Sequence, residues 1–296
     1  MAPTGPAARW LLAIMLGLAC HASQAGKLVL MPPLESSTDT RGNYPYMLLQ
    51  LVLSKAGGNF EAGHADRVML QGRALVLLEQ DQGIDVVATM TSADREKRLL
   101  PIRIPLDKGL LGWRVFLIRS QDKEKFDSVS SLDQLRRMRA GQGHDWPDAA
   151  ILRANGMSVM VNSSYDALFQ QLSAGRFDFF PRSVIEVIDE QRRHPGLEIE
   201  PRIALHYPAA TYFFVNRNNT ALAADIERGL RLAMQDGSFD KLFQATFADV
   251  LRQVDLGRRS TLELNNPFLP DQTPLTEASY WYRPREAAAN GHRGTD

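Results

Sequence analysis

One pattern occurs twice in this sequence and restricts the fold more than any other. An amphipathic helical stretch runs into a glycine, then an aspartate within three residues, then a short apolar strand. The first copy places Leu70, Ala74, Leu77 and Leu78 at helical spacing in Met69 to Gln82, followed by Gly83-Ile84-Asp85-Val86-Val87-Ala88. The second places Tyr165, Leu168, Phe169 and Leu172 at i, i+3, i+4 and i+7, followed by Gly175-Arg176-Phe177-Asp178-Phe179-Phe180. Strands that alternate with helices imply parallel pairing and right-handed crossovers. Two copies, in a chain of 296 residues, imply two α/β lobes.

The remaining segments fit that plan. Lys27 to Met31 is a buried strand stopped by Pro32-Pro33, and a helix runs from an Asn43 cap through Ala56 to Gly57-Gly58. Trp113 to Ile118 is a strong strand, Arg119 to Ser131 a polar connection, and Leu132 to Met138 helical. Gly141-Gln142-Gly143 is expected as a turn, Met157 to Val161 as a strand, and Ile185 to Gln191 as a helix. Tyr212 to Val215 is a further strand, and two long helices follow, marked by Leu222, Ile226, Leu230, Ala233 and Met234, then by Phe239, Leu242, Phe243 and Phe247. Beyond Gly257 the spaced prolines Pro267, Pro270 and Pro274 predict an irregular segment that wraps over a lobe. The small polar stretch 286–296 is expected to be a disordered tail.

The first 25 residues have the layout of an export signal. Arg9 supplies a positive start, Trp10 to Ala19 a ten-residue apolar run too short for a membrane span, and Ser23 and Ala25 the small residues of a cleavage site. The mature chain is then expected to begin at Gly26, in the periplasm. Lipidation of Cys20 is the weaker reading, because Gly17 stands where a lipobox carries a large aliphatic residue. Cys20 is the single cysteine, so an intramolecular disulfide framework is excluded.

Lysine plus arginine and aspartate plus glutamate number 34 each, which argues against a nucleic-acid partner. The sequence carries no Gly-x-Ser-x-Gly elbow, no Walker loop and no Gly-x-Gly-x-x-Gly after a strand. No two of His64, His144, His194, His206 and His292 have the helical spacing of a zinc site. The expectation is a binding protein with no enzymatic activity, no metal and no cofactor.

At Gly83 to Ala88 and the following Thr89-Met90-Thr91-Ser92-Ala93-Asp94-Arg95, the sequence resembles the bacterial extracellular solute-binding proteins of family 3. Ser92-Ala93-Asp94-Arg95 matches the loop whose arginine grips a ligand carboxylate in that family. Gln142-Gly143-His144-Asp145-Trp146 resembles its second-lobe loop, and Gly175 to Asp178 its later glycine-aspartate turn. The resemblance covers roughly residues 27 to 250. It implies a type II periplasmic-binding fold: an α/β protein of two lobes with two hinge crossings and a ligand cleft between them. The implied division is 26–111 for the first part of lobe 1, 112–208 for lobe 2 with its crossings, and 209–285 for the second part of lobe 1 with the C-terminal wrap. The crossings are expected near Leu110 to Ile118 and Leu205 to Val215.

The family's ammonium-binding aspartate is replaced by Ser183 in Phe180-Pro181-Arg182-Ser183, and its threonine pair by His144-Asp145. The candidate ligand-binding residues are Arg95, Thr91, Tyr44, Asp145, Trp146, Arg182 and Ser183. Two arginines facing one cleft would suit an anionic solute, because guanidinium forks pair with carboxylate or phosphate. Structural alternatives stand beside these roles. Arg95 lies in a charged run, Arg182 can pair with Glu186, Trp146 can staple its loop, and Tyr44 can pack in the core. The expected function is a monomeric periplasmic receptor for a small polar, anionic solute, serving an ABC importer or a sensor. The rivals are a protein-interaction module that has lost its solute and a domain associated with a cell-wall enzyme.

Overall fold

The computed structural model describes residues 26–34, 41 and 43–284. The expected signal peptide, most of the polar loop before α1, and the expected C-terminal tail lie outside the described residues. No described helix is long and apolar enough to cross a membrane.

Lobe 1 begins with β1 (Lys27–Met31), α1 (Asn43–Lys55), β2 (Phe60–His64), α2 (Gln71–Glu79), β3 (Val86–Met90), α3 (Ala93–Arg98) and β4 (Leu99–Ile102). Lobe 2 holds β5 (Trp113–Arg119), α4 (Lys123–Asp127), α5 (Leu132–Leu135), β6 (Arg139–Gly143), α6 (Pro147–Ala154), β7 (Ser158–Asn162), α7 (Tyr165–Ser173), β8 (Phe180–Ser183), α8 (Val187–Arg193), β9 (Leu197–Ile199) and β10 (Ile203–His206). The chain returns to lobe 1 with β11 (Thr211–Asn216), α9 (Thr220–Gln235) and α10 (Ser238–Val254), then places β12 (Ser260–Glu263) back beside lobe 2.

The twofold echo in the sequence is an echo in space. Gly83 and Gly175 both take left-handed backbone, φ 69° and 71°, where a side chain is strained. Asp85 then accepts from the Leu30 amide at 2.8 Å and donates its own amide to the Leu30 carbonyl at 2.9 Å. Asp178 makes the same pair with Arg139, both bonds at 2.8 Å. Each aspartate thus ties the incoming strand to the edge of its neighbour, β1 in one lobe and β6 in the other.

β1 pairs β2 and β6 pairs β7 in parallel, as the alternation predicts. The central strands differ. β11 is antiparallel to β3 and β4, and β5 is antiparallel to β8, β9 and β10. The crossings cause this, since a strand that has passed through the other lobe returns pointing the opposite way. The crossings run side by side between β4 and β5 and between β10 and β11, with Leu106 donating to the Thr211 carbonyl at 2.9 Å and Tyr207 to that of Gly112 at 3.2 Å. A β-carbon at Gly112 would lie 2.2 Å from the Tyr207 carbonyl oxygen, so only glycine permits this approach.

Helix α9 buries Leu222, Ile226, Leu230 and Ala233 against lobe 1, each large side chain contributing roughly 1.5–3 kcal/mol. Gly229 lets α1 come close, because a β-carbon there would meet the Val52 carbonyl at 2.2 Å. The C-terminal wrap does not stay on lobe 1. β12 pairs in parallel with β10, and Asn265 exchanges two hydrogen bonds with Asn155 at the end of α6. Asn266 then donates to the Pro208 carbonyl, the Phe268 carbonyl accepts from Ala93 at the start of α3, and Tyr282 donates to the Lys108 carbonyl. The segment therefore holds lobe 2, both crossings and lobe 1.

Candidate functional site

A cavity of about 430 Å³ lies between the lobes. Lobe 1 lines it with Tyr44, Gln71, Thr89, Met90 and Thr211, lobe 2 with Arg114, Trp146, Asp148, Arg182 and Glu186, and the first crossing with Asp107. Ligands of α/β sheets bind beyond the carboxyl ends of the strands, which is where these loops sit.

Arg95 is placed by Ser92, whose hydroxyl accepts from the Arg95 amide at 3.2 Å and caps α3. Its side chain folds back over the end of β3 and is 8% exposed. The guanidinium donates to Thr89 Oγ1 at 2.6 Å, the Met90 carbonyl at 2.8 Å, Gln71 Oε1 at 2.7 Å and the Asp145 carbonyl across the cleft at 3.4 Å. All four acceptors are neutral. Burial lowers its pKa to about 10, and the more distant carboxylates of Asp145 and Asp148 offset that only in part. Thr91 is buried beside it and donates to Glu96 Oε1 at 2.6 Å. Arg95 and Thr91 stand behind the lining, with Thr89, Met90 and Gln71 between Arg95 and the cavity.

The lobe-2 loop meets this group. Asp145 accepts from the Gly72 amide of α2 at 2.9 Å, a second bond from lobe to lobe. Trp146 does line the cavity, with its indole stacked on Phe180 at 6.4 Å. Gly141 and Gly143 belong to β6 and make no turn. A β-carbon at Gly143 would sit 2.4 Å from the Trp146 ring, and one at Gly141 2.2 Å from Phe177. Their glycines serve close ring packing, which sequence alone shows as a turn signal.

Arg182 also reaches the lining but is 1% exposed and fully paired. Its Nε and Nη2 bond Glu190 at 2.8 and 2.6 Å, and Glu186 lies 2.9 Å away. Tyr165 donates to the same Glu190 oxygen at 2.8 Å. Burial alone would lower the Arg182 pKa, but Glu186 and Glu190 outweigh it and raise it well above the usual value. Its guanidinium carbon lies 4.9 Å from the Trp146 ring centre, so it supports that indole. Ser183 points away from the cavity, its hydroxyl donating to the Leu110 carbonyl at 3.1 Å. Tyr44 lines the cavity and donates to the Leu106 carbonyl at 2.8 Å, with its ring 4.6 Å from that of Phe247.

Charged lining residues also escape sequence reading. Arg114, the second residue of β5, is ion-paired with Asp148 at the start of α6, which also accepts from Tyr207 on the second crossing. Asp107 on the first crossing is 4% exposed and accepts from Thr211 at 2.9 Å and the Gly109 amide at 3.0 Å. Burial raises its pKa to about 6, with those bonds pulling the other way. The Leu110 to Trp113 apolar stretch marks a crossing, but nothing local shows that Arg114 and Asp107 face one cavity.

No family model matches the sequence, and no curated protein matches it. Solved structures do. An ancestral arginine-binding protein bound to arginine aligns with TM-score 0.57 and 18% identity over 76% of this chain and 99% of that one. A Salmonella typhimurium periplasmic binding protein described for its high arginine specificity aligns at 0.59 and 13% over 75% of this chain and 100% of its own. A histidine kinase sensor domain similar to periplasmic binding proteins aligns at 0.56 and 16%, over 75% and 96%. The chain has the two-lobed type II periplasmic-binding fold.

Proposed function

We propose that this chain is a periplasmic solute receptor that closes its lobes on a small polar molecule, for an importer or a sensor. The cavity between the lobes carries the reading, because residues of both lobes and of the first crossing line it and two bonds already join its rims. Similar structures are described as arginine-binding and ABC-transporter proteins and as a kinase sensor domain, so both destinations are represented. Hinge motion about two crossings lets solute contacts with both lobes draw them together.

The site gives less support to an anionic solute than the sequence does. Arg182 and Arg114 are paired with carboxylates, and Arg95 lies behind the lining. A small polar solute without two negative charges fits the lining better. The interaction-module rival loses ground at the C-terminal segment, whose hydrogen bonds are spent on its own lobes and crossings.

A thermal-shift screen of the chain from Gly26 onward, against amino acids, amines, carboxylates and small phosphates, tests the reading. A ligand at a hundredfold its dissociation constant adds about 2.7 kcal/mol, which is a readily measured rise in Tm. A flat response to the whole panel would overturn it.

A further inference from the structure

The guanidiniums of the cleft are committed. Arg182 is held by Glu190 and Glu186, Arg114 by Asp148, and Arg95 by four neutral acceptors, while Arg41, which also lines the cavity, lies over the rings of Trp146 and Tyr165 at 4.9 and 4.5 Å. Asp107 is the contrasting case. It lies on the cavity lining and, among the described residues, no ion pair joins it. The adjacent Lys108 reaches away to Asp240 at 2.6 Å. The bonds to Asp107 come from the Thr211 hydroxyl and from backbone amides, neutral donors that leave the carboxylate without an opposite charge. A buried carboxylate in that state either takes up a proton or accepts a cation.

The surroundings favour a cation. Tyr44 and Phe247 present aromatic rings to the same cavity. The Tyr44 hydroxyl is pushed up by burial first and by the charge of Asp107 next, which places the carboxylate beside that ring. Met31, Met69, Met90 and Leu106 make much of the remaining wall apolar, and thioethers adapt to varied shapes. The other lining carboxylates, Asp148, Glu186 and Asp189, are ion-paired with Arg114, Arg182 and Arg192, which leaves Asp107 as the lining carboxylate without such a partner among the described residues.

We propose that Asp107 anchors an organic cation, so that the cleft takes an amine or guanidine with an apolar body and no α-carboxylate. This rests on the receptor reading and names its ligand class. The ammonium or guanidinium docks at the crossings, between Asp107 and Tyr44, and the body lies along the methionine wall.

Calorimetric titration with matched pairs tests it: isoamylamine against L-leucine, and agmatine against L-arginine. Each pair differs by one carboxylate. The decarboxylated member is expected to bind at least about tenfold more tightly, and Asp107→Asn to weaken it by about ten- to a hundredfold. Tighter binding of either amino acid overturns the proposal with no variant needed. So does unchanged amine affinity in an Asp107→Asn protein that keeps its thermal midpoint. If only carboxylates or amino acids bind, the receptor stands and this inference falls. If only a phosphate binds, the receptor again stands and this inference falls, and if nothing in the whole panel binds, the receptor reading falls with it.

Discussion

The two faces of the cleft bury charge in opposite ways. On lobe 2, Arg182 and Arg114 are buried with carboxylates against them, Glu190, Glu186 and Asp148. On lobe 1 and its crossing, Arg95 and Asp107 are buried on neutral partners. Arg95 lies in the first turn of the helix after β3 and Arg182 near the end of β8, yet the pKa of one guanidinium is lowered by burial and that of the other is raised by its carboxylates. Lobe 2 thus brings a rigid, electrically closed wall that holds Trp146 in place. Lobe 1 and its crossing bring Asp107, a lining carboxylate whose charge a solute can still satisfy.

The largest test of this contrast removes one member of a closed pair. Arg182→Met should cost about 3–5 kcal/mol, because Glu190 and Glu186 are left buried and uncompensated. Arg182→Met with Glu190→Gln should recover part of it. Denaturant unfolding measures both, and equal stability of the single and double variants would break the pairing argument.

Asp107 makes the next largest effect, and its sign is opposite to that of a salt-bridged carboxylate. Its pKa is raised by burial to about 6, so the folded state holds a proton that the unfolded state has lost. Stability from this group is fully present below pH about 4, is lost as pH rises through about 6, and amounts to about 3 kcal/mol. Asp107→Asn should remove that slope. Stability that changes by the same amount between pH 4 and 6 in wild type and Asp107→Asn would contradict the assignment.

Arg95→Met should cost less than Arg182→Met, about 1–3 kcal/mol, since it leaves neutral acceptors behind in place of charges. It should also weaken closure, because one lobe-to-lobe bond goes with it. The smallest effects separate the two glycine turns. Gly83→Ala should cost about 1 kcal/mol for its left-handed backbone, with open space around the new methyl. Gly175→Ala should cost more, because its β-carbon would lie 3.3 Å from the Arg119 guanidinium. Thermal midpoints of the two proteins give the comparison.

The same contrast explains what the sequence made legible. The glycine-aspartate turns were visible because their geometry is local: a left-handed glycine, then an aspartate that binds the neighbouring strand. The position of Arg95 was visible for the same reason. Its partner Gln71 was not, since α2 and α3 meet only in the folded lobe. The spacing of Arg182 and Glu186 shows their pairing, but Glu190, which binds Arg182 bidentately, sits a further turn along in α8, where the polar run Asp189 to Arg193 gives no sign of burial. Gly141 and Gly143 mislead because glycine signals both a turn and a close approach: the Phe177 ring over Gly141 comes from a distant segment, and the Trp146 ring folds back over Gly143 from three residues on. Asp107 and Arg114 stayed hidden because the crossings are where distant segments come together.

Closure of the two lobes on a solute is the central claim, and an inter-lobe distance tests it most directly. The chain from Gly26 has no cysteine, so Asp94→Cys on lobe 1 and Asp133→Cys on lobe 2 give one labelled pair at exposed positions. Spin-label distances should collapse to one short, narrow distribution when the solute found in the screen is saturating, and broaden to longer values when it is removed. An identical distribution with and without a solute that binds would contradict closure.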